Sequence, residues 1–437
     1  MSTKLLVKIC LLATLLAVCS SFQLGTKDLA SKFQWPEANY PGYEQIGSDA
    51  KNQMFYWWFP SRRSREKDPL VLWLTGGPGC SSELALFVEN GPFTVNPKDL
   101  TLKTNPYSWN SFANLLYVDN PLGTGFSTVD PENYIETEEQ VASMLYEFMV
   151  KFVKKFPEFK GRDFYLFGES YAGHYVPHVS NYIYNKRNPD IAFKGAAIGN
   201  GLPNPWVQYS AYAEFSLINK LITFGDYLRM TPAFRSCETM MQYGIKGGRE
   251  ACDALVGEIL TGTTGEFDMA GTNSPVQRFN TYDITKPCYG DLCYNFTYLD
   301  EFLNQDIIRE ALGVAKGTKW SNCNGTVGDH MAKFDWAKNA APQLVDLLNN
   351  DVKVLMYHGD LDFICNWVGG EKAIDGVEWY GQHTWKQAAW KNKGYGLHRK
   401  FRSLEFIKFS NAGHMVPMDQ PAHALEMMAE FISSPDY

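Results

Sequence analysis

Six short apolar runs recur along the chain with helix-like stretches between them: "PLVLWL" (69–74), "NLLYVD" (114–119), "DFYLF" (163–167), "FKGAAIGN" (193–200), "VKVLMYHGD" (352–360) and "LEFIKFSNAGH" (404–414). Runs of this length and polarity read as buried strands. Between them, Val141, Leu145, Phe148 and Phe152 recur at helical spacing within 136–156, and the residues after Ser170 and from Pro421 to Ile432 also read as helices. Strands separated by helices imply an α/β fold with a central, mostly parallel sheet flanked by helices. No internal repeat or extended charge run divides the chain, so 22–437 reads as one domain. From about 205 to 335 the character changes. That stretch holds Cys237, Cys252, Cys288, Cys293 and Cys323, two glycosylation sequons and the loop "GTTGEFDMAGTNSP". It reads as an insertion decorating the sheet.

Composition excludes several classes. A chain of 437 residues with 45% hydrophobic content can bury a large core. A formal charge of -8, with no basic stripe to neutralise phosphates, argues against nucleic acid as a partner. The first 21 residues, "MSTKLLVKICLLATLLAVCSS", place Lys4 and Lys8 before an apolar stretch that is short for a bilayer span and ends in small residues. They read as a cleaved signal peptide, and no later segment is apolar enough to cross a membrane. The expected mature protein is soluble, in the lysosome or vacuole or outside the cell, and compatible with a homodimer.

An oxidising route makes disulfides the expected fate of most cysteines. Cys237 with Cys252, and Cys288 with Cys293, are close enough in sequence to staple local loops, which leaves Cys80 to pair with Cys323 or Cys365. No two short Cys/His pairs stand at the spacing a zinc site needs. "NFT" at Asn295 and "NGT" at Asn324 predict surface glycosylation.

The chemistry centres on Gly168-Glu169-Ser170-Tyr171-Ala172-Gly173. A serine on a sharp strand-to-helix turn needs small neighbours two residues to either side, and Gly168 and Ala172 meet that need. A serine before a helix often only caps it. A nucleophilic serine also needs a base, and the base an orienting acid, in the chain order Ser, Asp or Glu, His on this kind of sheet. Of eight histidines, His414 alone follows a late strand in a glycine-bearing loop before the last helix. The acid is then Asp360 or Asp362. Backbone N–H groups for an oxyanion would come from Tyr171 and from the "TGGPG" loop (75–79).

These segments, with "NPYSWN", "VDNPLGTGFS", "IGNG", "GDLDFICNW" and "NAGHMVPMDQP", resemble the serine carboxypeptidases of the α/β-hydrolase superfamily, and within them the carboxypeptidase III branch. The resemblance runs from Leu72 to Gln420 and implies an α/β-hydrolase fold. It implies Ser170 as nucleophile, Asp362 as acid, His414 as base, and Gly77 and Tyr171 as oxyanion donors. It implies that Glu89 and Glu169 pair, share a proton at acid pH and, with Gly76 and Thr75, hold the carboxylate at a peptide's C-terminus. Cys80–Cys323, Cys237–Cys252 and Cys288–Cys293 would be the disulfides, with Cys365 a free thiol near the pocket and Met415 lining it. Many members carry asparagine where Thr75 stands, so a hydroxyl replaces an amide at that grip.

The expectation is a serine-type carboxypeptidase acting through an acyl-enzyme at acid pH on peptide and protein C-termini, with no metal or organic cofactor. An acyltransferase on the same scaffold is the first alternative. A non-enzymatic protective or partner protein is the second, and an endo-acting esterase or lipase the third.

Overall fold

The computed structural model describes residues 33–262, 277–290 and 292–435. The expected signal peptide and most of the "GTTGEFDMAGTNSP" loop lie outside them. The strands are β1 (Tyr40–Gln45), β2 (Gln53–Phe59), β3 (Leu70–Leu74), β4 (Phe93–Val95), β5 (Leu102–Thr104), β6 (Asn114–Val118), β7 (Asp163–Glu169), β8 (Ala192–Gly199), β9 (Lys353–Gly359), β10 (Lys391–Asn392), β11 (Gly396–Phe401) and β12 (Leu404–Phe409). Ten form one sheet in the order β1-β2-β6-β3-β7-β8-β9-β12-β11-β10, and β4 and β5 pair as a separate ribbon.

The six strands from β6 to β12 run parallel. Each edge adds two antiparallel strands. All six expected runs are these central strands. The edge strands carry no such run: β1 is "YPGYEQ", half-buried throughout, and β11 is "GLHRKF", with Leu397 and Lys400 exposed. A strand with a solvated side needs no continuous apolar run.

Helices cover both faces. Glu138–Lys155 starts with a capping box between Thr137 and Gln140, carries Glu138 and Glu139 in its first turn, and ends with Lys154 and Lys155. Both charge placements suit the helix dipole. Its Val141, Leu145, Phe148 and Phe152 are buried, and with Val176 and Ile183 from the helix Ala172–Lys186 they form one core. On the other face Leu84 and Phe87 meet Met427 and Phe431 of the closing helix Pro421–Ser433.

Between β8 and β9 the described chain is mostly helical, and its Tyr209, Phe215, Phe234 and Val256 form an apolar cluster that Phe363, just beyond β9, joins. Disulfides join Cys80 to Cys323, Cys237 to Cys252 and Cys288 to Cys293, and Cys365 is a buried free thiol. Among the described residues no helix is long and apolar enough to cross a membrane.

Candidate active site

Strand register brings five loops to one level. Leu74 lies opposite Gly168, Glu169 opposite Gly199, Gly199 opposite Tyr357, and Gly359 opposite Phe409. The carboxyl ends of β3, β7, β8, β9 and β12 therefore finish together. Beyond β3 the strand order reverses, since β6 lies to one side of it and β7 to the other. Open α/β sheets gather their chemistry at such a switch point.

Ser170 stands at the end of β7 with φ of 65°, in the left-handed region that side chains resist. Its N–H donates to the carbonyls of Gly199 and Asn200, and its carbonyl accepts from Gly173 and Leu202. These bonds hold the turn in shape. A Cβ at Gly168 would come within 2.7 Å of the Ala172 Cβ and 2.8 Å of Val176 Cγ2, so glycine is required two residues before the serine. Gly76 is pressed against the same turn, where a Cβ would meet the Glu169 carbonyl at 2.7 Å and the Ser170 Cβ at 2.9 Å. Gly77 has φ of 109°, a conformation glycine adopts freely. Among the described residues no backbone carbonyl outside the regular elements takes the N–H of Gly77 or of Tyr171.

His414 Nδ1 lies 2.9 Å from Asp362 Oδ2, and both residues are buried. A carboxylate acceptor makes Nδ1 the protonated nitrogen and leaves Nε2 free to accept. Nε2 points toward the β7 turn, 4.0 Å from Glu169 Oε1. Of the two candidate acids, Asp362 is the one in contact with His414. Asp360 instead follows β9 directly and donates its N–H to the Phe409 carbonyl. Asp362 Oδ2 also accepts from Asn200 Nδ2 at 2.7 Å and from the Cys365 N–H at 3.2 Å. No role is expected from sequence for Asn200, which stands within "IGNG" just after β8.

The Cys365 side chain contacts the Ser170 hydroxyl, and burial pushes its thiol well above the usual range, so it is a neutral wall of the site. Met415, also buried, follows the histidine directly.

Glu89 ends the helix Ser82–Val88, where its N–H donates to the Ala85 carbonyl. Its carboxyl hydrogen-bonds that of Glu169. Burial pushes Glu89 up to about 7, and burial together with the Glu89 charge pushes Glu169 well above the carboxylate range. Among the described residues no N–H or hydroxyl donates to the Oε2 of either. Two buried acids so placed hold protons that solvated carboxyls would have lost. Thr75 is buried alongside, and its hydroxyl accepts from the Trp73 indole at 3.0 Å.

Every residue named for chemistry thus lies at one end of the sheet. Of the two sequons, the second reaches the site's edge, where Asn324 N–H donates to the Gly79 carbonyl at 2.8 Å. Asn295 is exposed, whereas Asn324 is half-buried, with its amide donating to the Gly123 carbonyl at 2.8 Å. The assembly can activate a hydroxyl, receive an oxyanion and grip an anion through protonated carboxyls.

A profile of the serine carboxypeptidase family matches residues 31–434. Serine carboxypeptidase-like 48 of Arabidopsis thaliana is 41% identical over 90% of this chain and 78% of its own length. Serine carboxypeptidase 3 of Hordeum vulgare is 39% identical over 90% and 77%. A crystal structure of KEX1(ΔP), a prohormone-processing carboxypeptidase from Saccharomyces cerevisiae, superposes with a TM-score of 0.78 at 27% identity, covering 92% of this chain and 93% of the other.

Proposed function

The chain belongs to the serine carboxypeptidase family, and from that premise we propose how its own residues release a C-terminal amino acid. The Ser170 hydroxyl attacks the last peptide carbonyl while His414 Nε2 takes its proton. Asp362 keeps the imidazole in the required tautomer and offsets its charge once it is protonated. The N–H groups of Gly77 and Tyr171 receive the oxyanion. His414 returns the proton to the departing amine, and water then releases the acyl group from Ser170 by the same steps in reverse.

The observation that carries the end-selectivity is the buried, hydrogen-bonded Glu89–Glu169 pair, whose Glu169 directly precedes the nucleophile and lies 4.0 Å from His414 Nε2. A protonated pair donates to the carboxylate at a chain end, and the Thr75 hydroxyl and the backbone at Gly76 complete the grip. An internal peptide bond offers no such anion. The family relatives favour peptidase over acyltransferase chemistry. The disulfides fit a route through the secretory pathway to the vacuole, the lysosome or the exterior, and exposed Asn295 suits a glycan acceptor.

The test is release of the last residue from N-blocked dipeptides between pH 4 and 8, with wild type, Ser170→Ala and Glu169→Gln side by side. Loss of the hydroxyl should abolish turnover. The Glu169→Gln variant should raise KM at acid pH with kcat largely kept. Equal KM in wild type and Glu169→Gln at every pH would remove the carboxyl pair from the reading, and turnover by Ser170→Ala would remove the nucleophile.

A further inference from the structure

Residues 280–286 belong to the helical stretch between β8 and β9, yet they thread between the two loops that carry Asp362 and His414. The Thr281 carbonyl accepts from Phe363 N and Ile364 N, each at 3.0 Å, and Ile284 N donates to the Leu361 carbonyl at 3.0 Å. The Tyr282 carbonyl accepts from His414 N at 2.7 Å. Asn280 Nδ2 donates to the Cys293 carbonyl at 3.0 Å, tying the segment to the Cys288–Cys293 staple. Close packing leaves little slack: a Cβ at Gly413 would meet Asp283 Cβ at 2.9 Å.

At the end of this segment Lys286 Nζ bridges Asp283 Oδ2 at 2.8 Å and Asp419 Oδ1 at 3.0 Å. The other oxygen of Asp419 accepts the Gly413 N–H at 2.8 Å, one residue before His414. We propose that Lys286 is a positioning residue for the reaction: it locks the His414 loop to the 280–286 segment and offsets the charge that Asp419 would otherwise present to the Glu89–Glu169 pair.

That second role depends on what surrounds the pair. His414, Asp362 and Asp419 act on it electrostatically. Tyr117, Tyr282, Tyr357 and Cys365 also lie within its field, each held neutral by burial. Asp362 is answered by His414 and Asn200, and Asp419 by Lys286. Removing the ammonium leaves Asp419 uncompensated, which strengthens the pair's hold on its protons. Removing the Asp419 charge while Lys286 stays does the opposite.

The inference rests on the roles proposed for Ser170, His414 and the carboxyl pair, so its test carries a separate readout for them. Lys286→Met, Lys286→Arg and Asp419→Asn would be compared with wild type for kcat and KM on an N-blocked dipeptide from pH 4 to 8. The rate of covalent labelling of Ser170 by an organophosphate would be measured in each. Asparagine at 419 can still accept the Gly413 N–H, so the variant removes charge and keeps the loop contact. Displacing a catalytic group by a fraction of an ångström should lower kcat and the labelling rate about tenfold in Lys286→Met, and Lys286→Arg should restore both. The alkaline rise in KM should move to higher pH in Lys286→Met and to lower pH in Asp419→Asn. Unchanged kcat and labelling in Lys286→Met, or displacement of the KM rise in the same direction by both variants, overturns the proposal. If Lys286→Met does not fold, Lys286→Arg and Asp419→Asn against wild type still decide it: Asp419→Asn must move the KM rise down and Lys286→Arg must leave it in place. Wild type that resists labelling at Ser170 would instead bring down the proposed triad, an outcome distinct from a failure of Lys286.

Discussion

Raising the pH should weaken substrate binding before it weakens the chemistry, and the size of the effect can be worked out. Burial pushes Glu89 up to about 7, and burial together with the Glu89 charge raises Glu169 as well. Below that point the pair is protonated and, on the function proposed above, donates to the substrate's terminal carboxylate. As Glu89 ionises the pair becomes an anion that meets another anion. If the protonated pair binds and the anionic pair does not, KM scales as one plus the ratio of ionised to protonated Glu89. Between pH 5 and pH 8 that factor grows about tenfold, equivalent to about 1.4 kcal/mol. The assay is steady-state hydrolysis of an N-blocked dipeptide, with KM and kcat separated at each pH. Its C-terminal amide serves as the control, because an amide has no charge for the pair to repel. KM for the acid should climb with a midpoint near neutrality while KM for the amide stays level. Parallel curves for acid and amide would refute the reasoning, since the pH dependence would then belong to some other group.

Replacing Asp362 by Asn should lower kcat by about 10⁴-fold, because the amide favours the wrong imidazole tautomer; Asp360→Asn, one turn of chain away, should leave kcat within a small factor, and equal losses in the two would contradict the assignment. Gly168→Ala forces a methyl into the 2.7 Å gap before Ala172, so it should cost about 1–3 kcal/mol of stability and slow organophosphate labelling, read by denaturant melts and label uptake. The protein should also be more stable in acid than at neutral pH. Glu83, Asp119, Glu138 and Glu169 are raised by burial, as is Glu89, from an ordinary 4.5 to about 7. Groups raised in the folded state contribute fully below their unfolded pKa and lose that contribution as pH rises through the folded value. For Glu89 the loss falls between about 4.5 and 7, so the melting temperature should drop across that window; a rise there would contradict the burial argument.

The parallel centre of the sheet was legible in the sequence because burial on both faces demands apolar residues at most positions, a demand that survives without knowledge of neighbours. The edge strands were not, since β1 and β11 satisfy a one-sided environment that many loops satisfy equally well. The same contrast holds in the site. Ser170 and His414 announce themselves through local constraints, a tight turn between small residues in one case and a glycine-bearing loop after a strand in the other. Asp360 and Asp362 obey the same local rules, so residues alone left them tied; resemblance favoured Asp362, and the 2.9 Å contact with His414 Nδ1 supplies the physical reason.

What stayed hidden were residues whose roles exist only through tertiary contact. Asn200 is one, since an asparagine after a strand carries no mark of the buried carboxylate it serves 162 residues later. Lys286 is another: among 40 basic residues nothing local distinguishes it, and its position between Asp283 and Asp419 arises because a stretch outside the sheet folds back over two of the sheet's loops. A segment read from sequence as decoration therefore reaches the centre of the chemistry. The glycine-rich turns can be recognised one at a time, but the charges that tune them have to be placed in three dimensions before their sign has any consequence.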